Sequence, residues 1–400
     1  MRRARASGPE CAKTVDYKAP ARTIRELGMA SMFLLARRAG VSALVGLVAL
    51  AAATLSPARA VASLDGSIDA LAKSFSEKTG VEDFSILLMQ DETVLYRHDF
   101  GSFDRSTTIP IASATKWIVG AAVMTLVDQG KLSLDAPIKT YLPELPAPYD
   151  DLTLRQLLSY TAGLANLREG FVEFRQDRTI SLAQSVELLS KMPLVDPPGT
   201  AFSYGGANFQ FAGAIVERVT GKRWADYVSE VLARPLGMKP LYWSNPQAPV
   251  PPEKVTNPIL QAGMFISVDA YQPFLTMIAQ KGVYKGKRYL SEAAIEEMDT
   301  PVTHGLDMKY VPPGAGDLAI EYAIAHWCER ESKSGRGCAL PTSPGAFGVY
   351  PWVDRELGLH GIIFLQDQLE RIANDVRRLR DTIIGIALTA GYGGPQDPAQ

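Results

Sequence analysis

Ile111-Ala112-Ser113-Ala114-Thr115-Lys116-Trp117 sets a serine and a lysine three residues apart, at the head of an apolar run that continues through Val127. On a helix, positions i and i+3 share a face. That spacing holds a hydroxyl and an amine within hydrogen-bonding reach, and a serine needs such a partner to become a nucleophile. A chain of 400 residues yields about one Ser-x-x-Lys by chance. The pair therefore acquires meaning only from what surrounds it.

Working outward, Phe84–Met89 and Thr93–His98 read as two strands around the turn Gln90-Asp91-Glu92, preceded by an amphipathic helix over 63–79. From about 131 to 255 the pattern is helical and broken by Pro- and Gly-containing turns, with short helices at 154–158 and from Asn208 to Val219, the latter stopped near Gly221. Past Gly263 the spacing predicts helix to Gln280. A strand from Gly345 to Val353, a turn at 354–356 and a strand from Gly358 to Leu365 follow. Leu369, Ile372, Val376, Leu379 and Ile383 recur at helical steps and predict a closing amphipathic helix. Strands at both ends of the chain with helices between them predict an α/β sheet, its two parts flanking an inserted helical region at about 119–255.

The first 60 residues read as an N-terminal extension and signal peptide. Arg37-Arg38 precede an apolar run from Ala39 to Leu55, and Ala58-Arg59-Ala60 supplies small residues for cleavage. Met29 or Met32 would start a signal of more usual length. Export, most simply to a bacterial periplasm, is expected; an uncleaved segment anchored in the inner membrane is the alternative reading. Residues 61–390 form the expected domain, and 391–400 read as a disordered tail. Beyond Cys11 the cysteines are Cys328 and Cys338, a pair bracketing a polar loop that reads as a disulfide, with two free thiols in a reducing compartment as the alternative. The net charge of −2 and the absence of Lys/Arg-rich runs argue against a nucleic-acid partner. No Cys-x-x-Cys or His-Glu-x-x-His occurs, so neither a metal nor another cofactor is expected. His326 and His360 have no acidic partner legible in the sequence.

Two further clusters follow the serine. Pro197-Pro198-Gly199-Thr200-Ala201-Phe202-Ser203-Tyr204-Gly205-Gly206 places a tyrosine between a turn and a helix, and Ser343-Pro344-Gly345-Ala346-Phe347-Gly348 opens the late strand. With Ser113 and Lys116 these clusters resemble, in order and interval, the three motifs of the serine β-lactamase and penicillin-binding-protein superfamily. The nearer likeness is to its class C β-lactamases, DD-peptidases and family VIII esterases, and it runs from about residue 65 to 388. The resemblance implies a β-lactamase/transpeptidase-like fold: a mainly antiparallel sheet flanked by helices, with an inserted all-helical region. It implies Ser113 as the nucleophile of an acyl-enzyme, and Lys116 and Tyr204 as the groups that take and relay its proton, the division between them left open. The backbone N–H groups of Ser113 and Ala346 would form the oxyanion hole.

Two positions depart from the family pattern. Gly206 stands where asparagine is usual, and Ser343-Pro344-Gly345 replaces Lys-Thr-Gly or His-x-Gly. Losing a cation at 343 removes an obvious partner for a substrate carboxylate. The resemblance therefore implies a serine hydrolase acting on a small-molecule ester, amide or peptide, carboxylesterase-like first, with D-amino-acid peptidase or β-lactamase activity as the alternative. A catalytically weak penicillin- or peptide-binding module is the rival of another class. Lys333-Ser334-Gly335 also matches Lys-Ser-Gly but lies inside the Cys328–Cys338 loop without a following strand, so Ser343-Pro344-Gly345 is preferred; Lys333 or Arg336 would touch substrate only if that loop covers the cleft. Gly206 and Trp352 are expected to line the substrate cleft.

Overall fold

The computed structural model describes residues 57–166, 179–246, 249–315, 320–335 and 337–395. The expected leader up to residue 56, Arg336 and the last five residues of the expected tail lie outside these. Among the described residues no helix is long and apolar enough to cross a membrane.

Seven strands form the main sheet: β1 (Phe84–Gln90), β2 (Thr93–Phe100), β3 (Glu321–Tyr322), β4 (Trp327–Cys328), β5 (Pro341–Thr342), β6 (Tyr350–Asp354) and β7 (Leu359–Leu365). They lie side by side as β3-β4-β5-β6-β7-β1-β2, every neighbour antiparallel. Phe84 pairs with Leu365 and Gln90 with Leu359, so the first strand of the domain zips against the last. Nearly all of β1 is buried because both faces of the sheet are covered. Ile86 and Leu88 pack on one side with α1 (Pro57–Thr79) and the C-terminal helix Leu369–Thr389, and Leu87 and Met89 pack on the other with the main core. Lys78 and Asp375 join the two outer helices through a 2.5 Å ion pair.

Helix α2 (Thr115–Asp128) fills the centre of the main core, and every residue from Thr115 to Leu126 is buried. A helix apolar on all sides is held by tertiary burial rather than by an amphipathic stripe. Ser113 sits in the 3₁₀ turn Ala112–Ala114 that leads into it. The turn runs directly into the helix, so Ser113 and Lys116 stay on one face.

The helical block holds strands that the apolar spacing did not signal. Leu241–Trp243 pairs with Met264–Ile266, which pairs in turn with Ile109–Pro110; Ala201–Ser203 pairs in parallel with Asp307–Tyr310. The helix expected from Gly263 begins at Val268, after that strand, where Ser267 caps it by accepting from the Ala270 N–H. Of the strand expected over 345–353 only the end is strand, as β6, while β5 forms just before it at 341–342. Pro344 has no N–H for a ladder, and the Gly345 N–H turns back to the Val349 carbonyl at 2.7 Å, closing a loop between the two. The Cys328–Cys338 disulfide is present.

Candidate active site

Lys116 Nζ lies 2.7 Å from Ser113 Oγ and 2.9 Å from the main-chain carbonyl oxygen of Gln261. The carbonyl can only accept, so one N–H of Lys116 is committed to it. Lys116 is buried, whereas Ser113 keeps part of its surface open among buried neighbours. Ala112, just before the serine, has φ +44°, a left-handed conformation that an L residue adopts only when its surroundings hold it there.

Tyr204 closes the group. Its ring centroid is 4.8 Å from Lys116 Nζ and that of Tyr160 is 5.9 Å away, so two aromatic faces border the amine. Burial raises the Tyr204 phenol well above its ordinary value, against hydrogen bonds from Ser113 and Trp327 that pull it down. The phenol therefore stays protonated at neutral pH. Trp327 lies almost parallel to the Tyr204 ring, with centroids 5.1 Å apart and an interplanar angle of 25°, and Tyr322 meets both edge-on. Sequence reasoning missed Trp327, Tyr322 and Gln261. Tyr322 and Trp327 come from one hairpin and Gln261 from a distant loop, all outside the three motif clusters, and none carries a motif.

The third motif is brought to the serine. Ser343 Oγ donates to the Ser113 carbonyl at 3.2 Å. A Cβ at Gly345 would sit 2.2 Å from the Ile111 carbonyl oxygen, so only glycine permits this approach. Ala346 is exposed beside it, with its carbonyl held by the Leu369 N–H at 2.9 Å. Gly206 also meets the group: its carbonyl accepts from Gln261 Nε2 at 3.3 Å, which links it through Gln261 to Lys116. Its φ is +63°, and a Cβ there would stand 2.3 Å from the Ala165 carbonyl oxygen.

Two expectations are corrected. Trp352 does not line the cleft; it is buried against Gly361 in the core beneath α1 and the C-terminal helix, because alternation along β6 turns its side chain to that face. His326 has an acidic neighbour after all: its Nε2 is 3.2 Å from an Asp299 carboxylate oxygen, while its Nδ1 is 3.0 Å from the Ile324 carbonyl. The ring stacks on Trp117 at 5.2 Å, directly behind Lys116 in sequence. Burial alone would raise the Asp299 carboxyl, but Arg355 and His326 hold it below the usual range. His360 is core: burial pushes it down to about 3 and Thr276 Oγ1 is 3.1 Å from its Nε2. Lys333 is exposed and reaches Glu356, at the opposite end of β6 from residues 343–346.

Comparisons with known proteins give the family and the fold. Esterase EstB of Burkholderia gladioli is 33% identical over 209 residues, 46% of this chain and 52% of that protein. Protein flp of Staphylococcus aureus strain MW2 is 26% identical over 189 residues, 43% of this chain and 37% of that one. The chain thus spans about half or less of the length of these curated relatives. Two solved structures share the fold: EstCE1, described as a hydrolase with promiscuous acyltransferase activity (TM-score 0.66, 18% identity, 82% of this chain and 100% of that one), and a penicillin-binding protein homologue from Caulobacter crescentus (TM-score 0.64, 18%, 81% and 97%). The family model described as Beta-lactamase matches residues 68–381, most of the described domain, and the chain belongs to that family.

Proposed function

We propose that this protein is a serine hydrolase that cleaves small carboxylic esters through an acyl-enzyme on Ser113. The observation that carries the reading is the 2.7 Å contact between Lys116 Nζ and Ser113 Oγ, with a second Lys116 N–H already spent on the Gln261 carbonyl. In its amine form Lys116 then directs its lone pair at the serine proton. Ser113 Oγ attacks the ester carbonyl, the proton passes to Lys116, and the oxyanion forms at the Ser113 and Ala346 N–H groups. A backbone donor of this kind is typically worth about 3–4 kcal/mol of transition-state stabilisation. The C–O bond to the alcohol breaks as the leaving oxygen takes a proton, which the neutral Tyr204 phenol is placed to relay from Lys116. Water then attacks the acyl-enzyme by the reverse route, releasing the acid and restoring the Ser113 hydroxyl.

An ester is favoured over a penicillin or a peptide C-terminus because Ser343 spends its hydroxyl on the Ser113 carbonyl and brings no cation for a substrate carboxylate. The relative named an esterase supports the same choice. The leader-like residues 29–60 and the disulfide support placing this activity outside the cytoplasm. The test is a p-nitrophenyl ester series and nitrocefin offered to the full chain, with fluorophosphonate labelling. Ester turnover and labelling are expected, both lost in Ser113→Ala, with kcat reduced at least about 100-fold in Lys116→Ala and Tyr204→Phe. Unaltered turnover in all three variants refutes the mechanism. Nitrocefin turnover without ester turnover refutes the substrate choice.

A further inference from the structure

The Gln261 carbonyl that takes a Lys116 N–H belongs to a stretch with no helix or strand of its own. Residues 257–261 run between the 3₁₀ turn Pro252–Lys254 and the strand Met264–Ile266. Such a stretch keeps a carbonyl at a fixed place only if its polar groups find partners elsewhere in the fold. One side chain supplies them. Gln210, in the first turn of the helix Asn208–Thr220, donates from Nε2 to Asn257 Oδ1 at 2.8 Å and to the Pro258 carbonyl at 3.0 Å. Its Oε1 accepts from the Leu260 N–H, also at 3.0 Å.

The chemistry of these bonds suits glutamine alone among side chains of its length. An amide offers two N–H donors and a carbonyl acceptor, whereas a glutamate carboxylate has no donor and a methionine has neither group in useful strength. Gln210 and Asn257 are both fully buried, so water does not stand in for either. The stretch is tied to the same helix start a second time, because Gln261 Nε2 donates to the Gly206 carbonyl at 3.3 Å. The short segment 204–210 therefore carries the Tyr204 phenol at one end. At its other end it grips the backbone that presents an acceptor to Lys116.

We infer that Gln210 is a positioning residue for Lys116. By fixing 257–260 it holds the Gln261 carbonyl against one N–H of the amine, and so keeps the amine's lone pair directed at Ser113 Oγ. The inference rests on the reading of Ser113 and Lys116 as nucleophile and base, and it adds where the orientation of that base is set. Without the three hydrogen bonds the carbonyl is free to move, and a misplacement of about 1 Å in a catalytic group costs up to about 100-fold in rate. Gln210 is buried away from substrate, so KM is not expected to follow.

The experiment compares the parent with Gln210→Met, which keeps the side-chain length and removes all three bonds, and with Asn257→Ala, which removes only the acceptor at one end. Ester rates are taken well below each melting midpoint and divided by the fraction of Ser113 that fluorophosphonate titrates, so that unfolded protein is not counted. In Gln210→Met, kcat per titrated serine is expected to fall at least about tenfold, with KM within about twofold of the parent. Asn257→Ala is expected to show a smaller loss of the same kind, and it keeps the test decisive if the methionine variant fails to fold. Crystal structures of the variants are expected to show the Gln261 carbonyl beyond about 3.5 Å from Lys116 Nζ. A purely structural role would lower the melting midpoint and the titratable fraction but leave kcat per titrated serine unchanged. That result in both variants, or a Lys116–Gln261 contact preserved in both, overturns the inference. A parent that neither labels nor turns over ester overturns the hydrolase reading instead, and the crystal structures then still decide whether Gln210 sets the contact.

Discussion

Restoring the family's asparagine at position 206 should harm this protein. Gly206 has φ +63°, its ideal Cβ would lie 2.3 Å from the Ala165 carbonyl oxygen, and Asn208 Nδ2 stands 3.3 Å away on the other side. The left-handed conformation costs an ordinary L residue about 1–2 kcal/mol, and asparagine somewhat less. Moving a buried backbone oxygen by about 1 Å to make room adds about 1–3 kcal/mol, the range seen for overpacked interiors. Gly206→Asn is therefore expected to lose about 2–4 kcal/mol, which at about 2 °C per kcal/mol for a domain of this size lowers the melting midpoint by about 4–8 °C. Ester turnover should fall with it, because the Gly206 carbonyl holds Gln261 Nε2 and the Gln261 carbonyl holds Lys116 Nζ. Thermal melts and p-nitrophenyl ester rates measure both. A variant that melts within about 1 °C of the parent and turns over ester at the parental rate would refute the reasoning, since the backbone would then accommodate a side chain where the geometry leaves none.

Gly385 is the counterexample: it is exposed within the C-terminal helix with nothing within 4 Å of its ideal Cβ, so Gly385→Ala should stabilise by about 0.5–1 kcal/mol in urea titration. Asp299→Ala should cost about 3–5 kcal/mol, because Arg355 and His326 are left facing one another without the carboxylate between them; a loss below 1 kcal/mol would show the cluster to be dispensable. Burial raises the phenols of Tyr204, Tyr271, Tyr322 and Tyr350 in the folded state. The unfolded chain ionises first, near pH 10, so this stability is fully present below pH 10 and is lost as pH rises above it. Melts from pH 8 to 11 should fall steeply at the alkaline end, with a further step in tyrosinate absorbance on unfolding as the buried phenols are released. Reducing the Cys328–Cys338 bridge, which closes a loop of ten-residue separation, should lower stability by about 3 kcal/mol, measured with and without dithiothreitol.

How much of this was legible beforehand depends on the range over which each feature is decided. The β1–β2 hairpin, the C-terminal helix and the Asn208–Thr220 helix ending at Gly221 follow from local periodicity and turn residues, and the structure places them within one or a few residues of expectation. The strand Met264–Ile266 did not announce itself, because three apolar residues before a capped helix read as part of that helix until pairing partners are supplied by Leu241–Trp243 and Ile109–Pro110. Trp352 was misplaced for a related reason: a strand's alternation tells which residues share a face but not which face meets the site.

The candidate site divides along the same line. Ser113 and Lys116 declare themselves because their alignment is a property of one turn of chain, and Tyr204 and Gly345 declare themselves because they sit in recurring motifs. The amino-acid sequence by itself thus determined the candidate nucleophile, its nearest amine and the fold family. Only the tertiary structure decided that the Gln261 carbonyl occupies one Lys116 N–H, that Trp327 lies against Tyr204, and that Gly206 has no room for a side chain. Each of these is a contact between segments far apart in the chain. Its energy depends on distance and burial in the folded state, and no spacing along the sequence encodes either.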